Sequence, residues 1–64
     1  MKVKELKKGD YFTRKATENP TDRQVLVRGD YDRTEKKYEC YHFDDVNDTV
    51  YISGNKEAFV DFVF

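Results

Sequence analysis

Cys40 and His42, the only cysteine and the only histidine of the 64-residue chain, stand two apart in the stretch KKYECYHFDDV, residues 36–46. On a β-strand such a pair shares one face, because side chains alternate with a period of two. An imidazole beside a thiol lowers the thiol pKa and prepares a nucleophile. A nucleophilic centre also needs a third orienting group and an oxyanion donor, and the spacing supplies neither. The pair therefore reads as a buried thiol, packed as a small hydrophobe beside a partly covered imidazole. Adding Asp44 gives three metal-capable groups, but a structural zinc site wants four ligands, usually from two separated pairs. Asp44, Asp45, Asn47 and Asp48 offer oxygens to a hard cation, yet lack the alternate ligand positions, central Gly and distant Glu of a calcium loop. They read as a solvated turn. Arg28-Gly29-Asp30 spells an integrin-type tripeptide and reads as a strand end and turn. No catalytic, metal or cofactor-binding residue is assigned, and the chain reads as non-enzymatic.

The elements that position these residues are all short strands. Tyr38, Cys40 and His42 fall on one face of the 36–46 strand and Glu39, Tyr41 and Phe43 on the other. Neither face is cleanly polar, so this strand is expected at the middle of a strongly bent sheet or with a bulge partway along. Residues 10–15 form a first strand with Phe12 and Ala16 inward, after a turn in which Gly9 takes a positive φ. Asn19-Pro20-Thr21-Asp22 is a turn. Residues 24–28 make the second strand, Val25 and Val27 inward and Leu26 outward. Residues 29–35, GDYDRTE, read as a mobile hairpin loop. Asp44 to Asp48 is a tight turn of Asx residues that bond their own backbone. Residues 49–53 form the fourth strand with Val50 and Ile52 inward. A 3₁₀ turn at residues 53–57 precedes a last strand, residues 58–64, with Ala58, Val60, Phe62 and Phe64 on its apolar face.

Five strands joined by short connections, with no helix, define an all-β fold. A long early loop, tight later hairpins and a 3₁₀ turn before the last strand select a five-stranded SH3-like barrel, occupying residues 1–64 as a single domain. An oligonucleotide-binding barrel would spend a helix between its third and fourth strands. The segments KKGDYFT, RGDYDR, KKYECY, FDDVN and VDFVF resemble a family of short, uncharacterised single-domain bacterial proteins with an SH3-like barrel. Leu6-Lys7-Lys8-Gly9-Asp10 is similar to the opening of the SH3-like, KOW-type domains of translation factors. Both resemblances imply the fold, and neither carries a chemical signature.

Net charge is -1, distributed as +4 over residues 1–16, -1 over residues 17–40 and -4 over residues 41–64. The expected use of this asymmetry is a basic first strand beside an acidic last strand. A lone cysteine excludes a small disulfide scaffold and fits a reducing cytoplasm. No apolar run has membrane length, and the opening residues lead into no signal-type segment, so no membrane partner is expected.

What stays outside the core is the candidate site. Tyr11, Leu26, Tyr41 or Phe43, Tyr51 and Phe59 are expected on outer or edge faces, with Arg14, Arg28 and Arg33 nearby and Tyr31 in the second loop. Exposed aromatics with arginine are the usual material of a binding hot spot. The expected function is a small interaction module that binds a protein partner or self-associates through this aromatic face. The alternative is single-stranded nucleic-acid binding, with Tyr31, Tyr41 and Tyr51 stacking on bases and Arg14, Lys15, Arg28 and Arg33 on phosphates.

Overall fold

Val25-Leu26-Val27 opens the longest regular stretch of the chain, a three-strand meander to which a short first strand is added. A computed structural model describes residues 1–62. The strands are β1 (Tyr11–Phe12), β2 (Leu26–Asp32), β3 (Lys37–His42) and β4 (Asp45–Ile52), antiparallel in the order β1-β2-β3-β4. The central position expected for the Cys40 strand is the one β3 occupies.

The fold is all-β, but the sheet is open, and the described residues form four strands rather than five. The single 3₁₀ turn among them is Val3–Glu5, near the first residue and not before the last segment. It forms because Val3 and Leu6 both bury. The Lys2 amide donates to the Glu5 carboxylate at 2.6 Å and the Leu6 amide to the Val3 carbonyl at 3.1 Å. After β4 the chain makes a hydrogen-bonded turn instead, with the Lys56 amide donating to the Ser53 carbonyl at 3.0 Å. It then returns to the opening residues. Glu57 bridges Lys2 and Phe59 bridges Thr13, the latter through a reciprocal pair of 2.9 and 3.0 Å hydrogen bonds. Ala58 is buried in the core as expected, but Val60 is 40% exposed and Phe62 only half-buried, so among the described residues the inward face does not continue past Ala58. Phe64, also placed on that face, lies outside the described residues.

Two bulges account for most of the shifted boundaries. Between Arg28 and Tyr31 the register with β3 slips, which keeps Gly29 and Asp30 in the strand. A polar stretch that reads as a loop is thus strand as far as Asp32, and the turn shrinks to residues 33–36. Asp32 Oδ1 accepts from the Thr34 and Glu35 amides at 2.8 and 3.1 Å, and Lys36 closes the turn with φ 58°. The second irregularity comes between Tyr41↔Thr49 and His42↔Asp45, leaving residues 46–48 bulged on β4. The acidic turn is accordingly only Phe43 and Asp44. The Asx bond expected there is made by Asp45, whose Oδ1 accepts from the Asn47 amide at 3.0 Å. Gly9 takes φ 94°, as its turn requires.

The core lies on one face of the sheet: Phe12, Leu26, Cys40 and Ile52, covered by Val3 and Leu6 from the start of the chain and Ala58 from its end, with Tyr38 and Val50 packed alongside. Leu26 is 1% exposed and central, which corrects its expected outward placement. Its neighbours Val25 and Val27 point to the opposite face and are buried as well. Both faces of β2 are therefore covered, and alternation alone could not tell which side is the core. Ala16, expected inside, is exposed, because pairing at the end of β1 stops at Thr13.

Candidate aromatic interface

Cys40 is fully buried, opposite Arg28 on one side and Val50 on the other. Its Sγ contacts the Tyr38 carbonyl at 3.8 Å rather than the imidazole. Burial raises the thiol pKa above its ordinary value, opposed by a backbone hydrogen bond from Gly29 and the charges of Arg28 and Arg14. A raised pKa is the reverse of what a thiolate nucleophile needs. The His42 Nδ1 lies 2.9 Å from the Arg23 carbonyl, which can only accept, so Nδ1 carries the proton. Its Nε2 stands 3.7 Å from Asp48. Among the described residues no group of three or more His, Cys, Asp or Glu side chains is placed to hold a metal ion.

The residues expected to share one partner-binding surface separate onto two faces. Cross-strand pairing aligns Tyr11 with Val27, Val27 with Tyr41 and Tyr41 with Thr49, so Tyr11, Tyr41 and, two residues beyond Thr49, Tyr51 lie on the face away from the core. Phe43 joins them, its ring edge-to-face with Tyr11 at 5.5 Å and 81°. Tyr51 is 46% exposed on the edge strand and stands opposite Glu39. Its phenol pKa is raised, first by Glu39, then by partial desolvation and by Asp32 and Glu35. The surroundings of Tyr51 are thus acidic.

Arg28, Tyr31 and Arg14 lie elsewhere. The one-residue slip in β2 puts Tyr31 opposite Tyr38 on the core side, with ring centroids 5.0 Å apart at 65°. The half-buried Arg28 guanidinium sits 4.1 Å over the Tyr38 ring, and its Nε is buried without a hydrogen-bond partner. Arg33 is exposed in the β2–β3 turn, and Arg14 follows Thr13 at the mouth of a cavity beside the core. Phe59 is half-buried and tied to Thr13 through its backbone. Tyr31 does not share a face with Tyr41 and Tyr51, so the three rings do not make one stacking platform. Phe43 and Glu39 complete the outer face; alternation puts both on Tyr41's face of the central strand, without saying which face is outward.

β4 has one neighbour in the sheet, β3, and its other edge is unpaired among the described residues. The bulge at residues 46–48 and the carboxylates of Asp45 and Asp48 interrupt the first half of that edge. Residues 49–52 are the regular part. No helix among the described residues is long and apolar enough to cross a membrane. No family model, curated protein or solved structure matches the chain.

Proposed function

We propose that this chain is a small non-enzymatic interaction module, built as an SH3-like barrel, that binds a basic segment of a protein partner along β4 and the outer-face tyrosines. The fold reading is supported by residues 57–59, which return to Thr13 at the end of β1, where a fifth strand closes such a barrel. A buried free cysteine suits a protein of the reducing cytoplasm. The observation that carries the functional reading is Tyr51, a half-exposed aromatic on a strand edge that is unpaired among the described residues, with Glu39, Asp32 and Glu35 around it. An extended peptide added to residues 49–52 gains main-chain hydrogen bonds, and Tyr51 with those carboxylates selects an apolar side chain flanked by Lys or Arg. The same carboxylates weigh against nucleic acid at this face, because phosphates would meet like charge.

The experiment uses a peptide panel of matched β-propensity, basic and acidic, with single-stranded RNA as a third arm, in isothermal titration against the parent chain and Tyr51→Ser. Expected is binding of basic peptides alone, weakened at least tenfold by the substitution. Salt-sensitive RNA binding with no peptide binding would replace the protein-partner reading with the nucleic-acid one.

A further inference from the structure

One end of the core is not closed. Between the end of β1 and the last turn lies a cavity of about 840 Å³, within the size range of small-molecule sites. Its floor is apolar, formed by Phe12, Leu26 and Ile52, all buried. Its rim carries Arg14, Lys15, Arg23 and Lys56, against one carboxylate, Glu57.

The rim charges are not equivalent. Arg23 is engaged by Asp48 at 3.0 Å and Asp44 at 3.6 Å. Glu57 accepts from the Met1 amine, which holds its carboxyl below the ordinary range. Arg14, Lys15 and Lys56 have no side-chain hydrogen bond or ion pair among the described residues. A chain of net charge -1 thus gathers over an apolar recess three cations that have no ion pair among the described residues, and the one carboxylate of the lining is already occupied. Cations at the mouth of a low-dielectric recess focus their field into it.

We propose that this cavity binds a small organic anion, an apolar or aromatic body seated on Phe12, Leu26 and Ile52 with a phosphate or carboxylate held by Arg14, Lys15 and Lys56. A body without charge leaves the rim unpaired, and a bare anion makes no contact with the apolar lining. Both parts are needed in one molecule.

The test is an amide NMR titration of the whole chain with 1-naphthyl phosphate, 1-naphthol and inorganic phosphate in parallel. Naphthyl phosphate should move the Thr13, Leu26, His42 and Ile52 amides saturably, with an affinity at least tenfold above either fragment. Arg14→Gln and Lys56→Gln, both at exposed positions, should each weaken it several-fold without moving the melting temperature or the response to naphthol. Absence of saturable shifts at millimolar naphthyl phosphate would overturn the proposal. So would equal binding of naphthol, shifts confined to the outer face around Tyr51, or unchanged affinity in both variants.

Discussion

A Cβ placed on Gly29 would stand 2.2 Å from the Glu39 carbonyl oxygen, a contact between two backbones that no side-chain rotation relieves. The glycine is therefore what lets β2 bulge against β3 and continue to Asp32. Gly29→Ala should destabilise by about 1–3 kcal/mol, the usual cost of overpacking. Urea unfolding of the variant checks this, and a midpoint equal to the parent's would mean that the bulge relaxes freely.

Phe12 is completely buried at the centre of the core, where β1 meets Leu26. Truncation to alanine should cost about 3–5 kcal/mol, which a domain of this size rarely holds in total. Phe12→Ala should show no cooperative melt, and a sharp transition near the parent's would contradict the placement of β1. Phe62 is only half-buried, so Phe62→Ala should lose less than Phe12→Ala in the same melts.

Lys36 carries a left-handed backbone that its Cβ resists. Lys36→Gly should raise stability by roughly 1 kcal/mol, the order of the αL penalty for an L-residue. Differential scanning calorimetry would register this as a higher melting temperature, and a lower one would show that the turn does not hold this conformation in solution.

The Cys40 thiol is held neutral by burial, so native protein at neutral pH should react with iodoacetamide far more slowly than unfolded protein. Its pKa is raised in the folded state above the ordinary value of 9.0. The stability from this site is complete below that value and declines as pH rises through it toward the folded pKa. Cys40→Ala should flatten that alkaline decline. Rapid labelling of the native protein would restore the nucleophile reading.

How far the sequence could be read depended on whether one face of an element carried the signal. KKYECYHF carries apolar or aromatic groups on both of its faces, as a strand paired along both edges of a bent sheet can, so the inner place of β3 was legible. Val25-Leu26-Val27 was not, because all three bury and period two cannot rank the sides. The length of β2 was hidden by polar residues that stay in the ladder only because Gly29 admits the Glu39 carbonyl. The candidate site was half legible: Tyr11, Tyr41 and Tyr51 share a face, whereas Arg28 falls on Leu26's face by alternation and the slip after it carried Tyr31 there too. The cavity was out of reach, since Arg14 and Lys56 become neighbours only through the pairing of the chain's first and last segments.

That pairing also sets an order of events during synthesis. The β2–β3–β4 meander needs only partners close in sequence, and its hairpins can form as soon as residue 52 is clear of the ribosome. Lys2 and Thr13 have to wait for Glu57 and Phe59, and the lid that Val3 and Leu6 place over Cys40 waits with them. Throughout translation of the middle of the chain the apolar side of the meander is bare. The nascent polypeptide thus passes through a stage in which a chaperone can grip what the finished protein hides.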